Sequence, residues 1–444
     1  MNHNVCSYRS IKSNDDFLDE RTPFLKDFGT IIYKSQFRRL SNKTQVFLNP
    51  EYDFPRTRLT HSIEVEQISR EVSRYFAKKI QESFNFETDA EKSCFPGFFE
   101  DLVAAVSLSH DIGQAPFGHR GEKTLYNLMK DIKHIDKQDY FEANKQNVRL
   151  LLGNRSRKPY GVTCALLDSV MKYKSRSFEG KSKYPGYYSF EEKIISQIKR
   201  STSKEYRNPA CYIMEASDDM AYISSDFQDA LKLSLIGIDN AISILEDIDL
   251  PTYKSDLEKS SWKEFFSVAF EKDNFEIITT LLIRVMLESV KKNIDYFVDN
   301  LSSGIHINDL PMLMDKFFSS DNCELNILYF GYGKQFRLVK DSIYNKHILA
   351  NKEIARNELL AKKVIEDLWS IMEEQLICDK YSDSDFFKII PEHVQNNIKL
   401  AHEDKEIFQK QKYQFLADYI SGMTDQYAIY IWNQLFNPSS LKFS

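Results

Sequence analysis

The chain has 444 residues, 42% of them hydrophobic and 28% charged, with a formal net charge of −6. These are ordinary globular proportions, and they exclude a disordered, collagen-like or disulfide-dense chain. Glycine (14) and proline (12) are scarce, well below their usual shares of about 7% and 5%, so the tight turns of a sandwich, barrel or Rossmann sheet are in short supply. The composition predicts an all-α chain with at most a short β element. Six cysteines stand far apart (Cys6, Cys94, Cys164, Cys211, Cys323, Cys378), and no two form a CxxC. A zinc ribbon and a thioredoxin-like motif are therefore excluded, and free thiols in a reducing cytoplasm are expected. No run approaches the roughly 18 apolar residues needed to span a bilayer.

In chain order, the first periodic segment follows Pro55, where His61, Val65, Ile68, Val72 and Phe76 recur at helical spacing. Phe99, Leu102, Val103, Val106 and His110 make a second stripe, with Gly113 as its expected stop. A third helix is expected from Pro209, with Ile213, Ala216, Met220, Ile223 and Phe227 as its apolar face. Residues 262–300, 355–377 and 405–436 also read as helices. Residues 173–190 and 319–335 are loop-like, the latter with a short strand expected over Leu325–Phe330. With no long linker, we expect one unit over 1–444, divided into a site-bearing core (50–235) and a helical C-terminal part (236–444). The Gly331-Tyr-Gly-Lys string lacks the spacing of a phosphate loop.

Chemistry gathers at four points on these helices. His110 and Asp111 are adjacent at a helix end and can both reach one ion if the chain bends there. His61 lies on a buried stripe, where a lone histidine is ordinarily a core residue. Asp218 belongs to a second face of the third helix, with Glu215, Tyr222, Asp226 and Asp229 at spacings of three and four. Such a face is usually solvated, yet the tyrosine within it suits the wall of a cleft. Together His61, His110, Asp111 and Asp218 form a two-histidine, two-carboxylate set suited to Mn²⁺ or Mg²⁺, with Fe²⁺, Co²⁺ or Ni²⁺ as further candidates. Four protein ligands would leave positions open for water and a phosphate oxygen.

The order His … His-Asp … Asp resembles that of the HD-domain phosphohydrolases. Longer words are similar to those of the deoxynucleoside triphosphate triphosphohydrolases, the bacterial dGTPase branch most of all. These are Phe37-Arg-Arg-Leu-Ser-Asn-Lys-Thr-Gln-Val-Phe47, Arg56-Thr-Arg-Leu-Thr-His61, His110-Asp-Ile-Gly-Gln-Ala-Pro-Phe-Gly-His119, Phe141-Glu-Ala-Asn144, Met214-Glu-Ala-Ser-Asp218 and Asp418-Tyr-Ile-Ser-Gly-Met-Thr-Asp-Gln-Tyr-Ala428. The resemblance spans about residues 21–436. It implies hydrolysis of a dNTP, dGTP foremost, to deoxynucleoside and inorganic triphosphate, by attack of water on the α-phosphorus.

The same resemblance implies site roles. His119 and Glu122 match the catalytic pair. Arg58, Asn144, Lys172, Tyr173 and Lys183 fall at phosphate-contacting positions, with Ala143 where the family has glycine. Gln45, Tyr222 and Asp226 fall around the deoxyribose, where the Tyr222 ring would collide with a 2′-hydroxyl. Arg337, Lys340 and Tyr344 are expected to complete the nucleotide pocket. Homo-oligomers (tetramer or hexamer), a second dNTP or single-stranded DNA as effector, and no membrane association are implied as well. Two other readings stay open at this point. One is a different HD phosphohydrolase, such as a 5′-nucleotidase or an alarmone or cyclic-nucleotide hydrolase. The other is a noncatalytic nucleotide or single-stranded-DNA sensor.

Overall fold

Proline at the first turn and the Thr22 hydroxyl, which accepts from the Leu25 amide, open helix α1 (Pro23–Ile32). A computed structural model of the chain describes residues 21–47, 53–153, 160–174, 186–246, 274–318, 326–348, 351–377, 381–403 and 405–437. Helix α2 (Arg58–Ser83) begins with a reciprocal cap in which the Thr57 and Thr60 hydroxyls accept from each other's amides. Thr88 caps α3 (Asp89–Ser109), whose first turn carries Asp89 and Glu91 against the helix dipole. The apolar stripes of α2 and α3 are buried, and the two helices pack along their length. Helix α6 (Pro209–Ala221) lies across both, so the three expected stripes meet in one core.

Between these long helices come α4 (Gly118–Lys130) and α5 (Ala143–Leu152). Gly113 does not end α3 as expected, because His110 already caps it. Its missing side chain serves packing instead. A Cβ there would lie 2.3 Å from the Asn147 nitrogen and 2.5 Å from the Ala143 oxygen, so only glycine lets α5 approach the turn. After α6 the chain makes a π-helical turn, Tyr222–Asp226, before continuing as helix over Phe227–Lys232.

The C-terminal part contributes α7 (Glu276–Asp299), α8 (Lys334–Ser342), α9 (Lys352–Leu376), α10 (Lys405–Ser421) and α11 (Asp425–Phe436). Within 262–300 the described helix starts at Glu276, and 405–436 is two helices broken at Gly422 and recapped by Thr424. A second π-helical turn, Ile343–Ile348, follows α8. No strand occurs among the described residues, which show only two isolated β-bridges (Thr44 with Thr57, Asn85 with His306). The strand expected over 325–330 is therefore corrected. Residues 326–330 turn because side-chain amides take the backbone bonds: Asn293 Nδ2 donates to the Ile327 and Phe330 carbonyls, each at 2.8 Å, and Asn326 Oδ1 accepts from Leu328. Cys94, Cys164 and Cys211 are free thiols, and the other three cysteines lie outside the described residues.

Two apolar clusters result. The larger joins α1, α2, α3, α6 and α7 with the segment 327–348. The smaller joins α4, with Phe117 and Phe141, to α9, α10 and α11. A buried polar web tethers α10 to α5: Arg149 pairs with both oxygens of Asp418 at 2.8 and 3.0 Å through Nε, and Gln146 Nε2 donates to the same carboxylate at 2.9 Å. Breaking a buried ion pair on one side leaves an uncompensated charge, at a cost of about 3–5 kcal/mol. Arg149→Ala should lower the urea-derived stability by about that amount, and a loss below roughly 1 kcal/mol would show that Gln146 and Gln414, whose Nε2 donates to Asp418 Oδ1 at 3.3 Å, alone carry Asp418.

Candidate active site

Three helices deliver one side chain each to a common point. His61 is one turn into α2, His110 caps α3, and Asp218 is near the end of α6. His61 Nε2 is 2.8 Å from Asp218 Oδ1, and His110 Nε2 is 3.6 Å from the same oxygen. The two imidazole rings are 5.7 Å apart between centroids. One donor atom from each of the three residues lies within 4.8 Å of the others, close enough to surround a single ion. His110 Nδ1 donates to the Ser107 carbonyl at 2.7 Å, which fixes the ring and leaves Nε2 unprotonated in the neutral tautomer. That Nε2 is buried and has no hydrogen-bond partner, as has His61 Nδ1. Orphaned buried nitrogens beside a carboxylate fit a divalent cation.

The fourth expected ligand, Asp111, stands at the edge of this set. Its Oδ2 is 3.6 Å from His110 Nε2, but it also accepts from Arg58 Nη1 at 2.7 Å and is not among the three that converge. Arg58 is buried one turn before His61, as its position in the sequence predicts.

Electrostatics at the centre are strongly coupled. Burial would lower the His110 pKa, but the Asp111 and Asp218 carboxylates outweigh it and raise the value to about 9. Burial alone would raise the Asp218 pKa, yet the His110 and His61 imidazoles hold it well below the usual carboxylate range. For Asp111 the guanidinium of Arg58, ahead of His110, overcomes burial in the same direction.

The second expected pair sits on α4. Phe117 adopts a left-handed conformation (φ 64°), and Gly118 another (φ 59°), so the chain reverses sharply into α4 before His119. His119 Nδ1 is 3.4 Å from Glu122 Oε2, and the histidine side chain is 62% exposed. Glu122 Oε1 accepts from the Ala143 amide at 2.9 Å. Burial would raise the Glu122 pKa, but His119 and that amide lower it, whereas burial and Glu122 itself raise that of Glu142. Asn144 turns its amide onto Glu142, 2.5 Å away.

A cleft opens beside this pair. Thr44, Gln45, Val46, Phe117, Gly118, His119 and Arg120 form one wall, and Tyr344, Ile348, Ile354, Asn357, Glu358 and Ala361 the other. Arg120 Nη2 bridges the walls to Glu358 at 2.6 Å. Gln45 and Tyr344 are thus brought together with His119, and the buried Gln45 Oε1 has no hydrogen-bond partner. A Cβ on Gly118 would touch both Arg58 Nη2 and the Gln45 carbonyl at 3.4 Å, which links the cleft to the metal-ligand side.

The face of α6 and the π-turn is not solvated: Glu215, Asp226 and Asp229 are all buried. Tyr222 opens the turn with its ring 6.1 Å from that of Tyr344 and 5.0 Å from Lys340 Nζ. Both Asp226 carboxylate oxygens are buried without partners, and burial, then Asp229, pushes its pKa well above the usual range. Lys340 is paired with Asp219, and Lys172 with Glu215 at 2.5 Å, one turn before Asp218. Burial raises the Tyr173 hydroxyl to about 12. Arg337 is half-buried one turn before Lys340 on α8. Lys183 lies outside the described residues. Arg120, Asn357 and Glu358 were not singled out from the sequence, where nothing separates them from other polar residues on amphipathic helices.

Protonated His110 stabilises the metal-free fold fully below about pH 6.5, and that contribution disappears as pH rises through about 9. An ion must displace this proton. Mn²⁺ affinity should therefore climb with pH to about 9, and calorimetry near neutral pH in buffers of different ionisation enthalpy should report about one proton released per ion. No proton release would contradict the assignment.

Comparison with known proteins agrees with this geometry. Residues 58–197 match the HD domain, and residues 332–434 match the phosphohydrolase-associated domain. Proteins described as deoxyguanosinetriphosphate triphosphohydrolase-like are similar along nearly the whole chain. The one from Listeria monocytogenes is 27% identical over 94% of this chain and 94% of its own length. The Synechocystis protein has the same identity and coverage, and that from Rickettsia typhi is 28% identical over 94% of this chain and 92% of its own. No helix among the described residues is long and apolar enough to cross a membrane. The HD-domain match, which carries His61 and His110, the phosphohydrolase-associated match that follows it, and these relatives make the chain similar to HD-domain phosphohydrolases and support a phosphohydrolase activity.

Proposed function

We propose that the chain hydrolyses a deoxynucleoside triphosphate, dGTP foremost, to the deoxynucleoside and inorganic triphosphate. The observation that carries this reading is the continuity of the His61–His110–Asp218 centre, through Arg58, with the cleft that holds Gln45, His119 and Tyr344. In this reading 50–235 supplies the metal centre and 236–444 closes the cleft.

His61, His110 and Asp218 would hold a divalent ion, Mn²⁺ or Mg²⁺ by their nitrogen and oxygen donors, with Asp111 beside them. When bound, the ion supplies Lewis-acid polarisation of the α-phosphate and lowers the pKa of a bound water. Arg58 balances the Asp111 charge and faces the phosphates, with Lys172, Tyr173, Lys183 and Asn144 further along the chain. The water oxygen bonds to the α-phosphorus, the bond from phosphorus to the 5′-oxygen breaks, and a proton reaches the 5′-oxygen. Glu122 orients His119, which is exposed enough to deliver that proton to the leaving oxygen. Tyr222 packs on the sugar, the buried, partnerless Asp226 accepts a hydrogen bond from the 3′-hydroxyl, and Gln45 reads the deoxyribose region. Arg337, Lys340 and Tyr344 face the base side. The family likeness extends the proposal to a cytoplasmic homo-oligomer with a second dNTP or single-stranded DNA as effector.

The purified chain with Mn²⁺ should release triphosphate from dNTPs, visible by ³¹P NMR; monophosphate or pyrophosphate as first product would overturn the reading. His119→Ala should lower kcat on the order of 10²-fold while Mn²⁺ stays bound. Tyr222→Ala should admit GTP, and unchanged discrimination between GTP and dGTP would place the 2′ filter elsewhere.

A further inference from the structure

Asp425 is only 4% exposed and stands at the first position of α11, far along the chain from every candidate site residue. Its carboxylate does not cap the helix it opens, whose cap is the Thr424 hydroxyl, and its charge acts on the buried Lys43 ammonium. Oδ2 accepts from the Thr44 amide at 2.8 Å, and Oδ1 accepts from the Phe117 amide at 2.8 Å. Thr44 immediately precedes Gln45. Phe117 is the left-handed residue that turns the chain into α4, two positions before His119.

One rigid carboxylate thus sets the spacing between the two loops that form a single wall of the cleft. The surrounding contacts point the same way. Lys43 Nζ donates to the Ser421 carbonyl at 2.7 Å and to the Gln114 carbonyl, and Arg39 Nη1 donates to the Gly422 carbonyl at 3.1 Å. The Arg58 amide, at the head of the helix carrying His61, donates to the Lys43 carbonyl at 3.0 Å. A left-handed conformation at a phenylalanine persists only where the surroundings over-determine it, and Asp425 holds the amide of that residue.

We infer that Asp425 is a positioning residue for the reaction, fixing Gln45 and His119 relative to one another from the phosphohydrolase-associated domain. The inference rests on the roles proposed above for those two residues. A carboxylate is needed because it offers two acceptors to two amides; the isosteric asparagine offers one acceptor and turns an N–H₂ donor toward the other amide.

The test compares D425N with wild type and with Met423→Ala, a buried residue of the same turn that makes no contact in this clamp. D425N should lower kcat/KM for dGTP on the order of tenfold or more, because small misplacement of reacting groups is costly, with Mn²⁺ affinity unchanged. Hydrogen exchange should accelerate together in 43–46 and 117–119. M423A should lower Tm but keep kcat per folded molecule. Turnover of D425N within about twofold of wild type, or faster exchange in only one of the two segments, would overturn the inference. If wild type itself turns over no dNTP, the proposed reaction fails, and the paired exchange readout still decides whether Asp425 clamps the two loops.

Discussion

Asp218 is shared between two histidines from two other helices, and the packing of α2, α3 and α6 is arranged so that this can happen. His61 is fully buried and His110 nearly so, while Asp218 keeps its carboxylate partly open. Burying imidazoles beside carboxylates is costly unless each polar atom finds a partner. Here Ser107 takes one nitrogen, Asp218 another, and Arg58 neutralises Asp111. His110 Nε2 is left without a partner, 3.6 Å from a carboxylate oxygen of Asp111 and of Asp218. A divalent cation at that point would satisfy it and displace the proton that the two carboxylates favour on His110.

The rest of the molecule builds a cleft against this centre. The left-handed turn at Phe117 and Gly118 reverses the chain so that His119 faces the same space as Gln45, with Glu122 behind it. Helix α9 supplies the opposite wall through Asn357 and Glu358, anchored by the second apolar cluster. Two π-helical turns, Tyr222–Asp226 and Ile343–Ile348, bring Tyr222 and Tyr344 within 6.1 Å. Such turns shift side chains off the regular α register, which lets two tyrosines from distant segments meet. Asp425, Lys43 and the Arg149–Asp418 pair then lock the C-terminal helices to the core that carries the histidines.

Much of this was legible in the residues themselves. The stripes of α2, α3 and α6 are buried as their periodicity predicts, because a 3.6-residue repeat leaves one face to pack. His61, His110, Asp111 and Asp218 are named by the family pattern of their words, and three of the four, without Asp111, converge. Other features depend on contacts far apart in sequence. Gly113 reads as a helix stop, but its role is to admit α5 at a distance no Cβ would tolerate. The run 325–330 reads as a strand, but in its described part, 326–330, Asn293 captures the Ile327 and Phe330 carbonyls. The acidic face of α6 reads as the wall of a cleft because Tyr222 stands within it, and the segment 326–348 packs against part of that face through Asn326, Lys340 and Tyr344. Glu358 looks like any surface acid on an amphipathic helix, and only tertiary packing gives it a place in the cleft; Asp425 falls in a family-like word, but only the fold shows that it holds the amides of Thr44 and Phe117.

The claim at the centre is that one ion is held by side chains from three helices. Crystals grown with Mn²⁺ and measured at the manganese absorption edge test it most directly. The account predicts a single strong anomalous peak flanked by His61, His110 and Asp218, at roughly the 2.0–2.2 Å typical of nitrogen and carboxylate ligands. A peak elsewhere, or none with the metal present in excess, would contradict it.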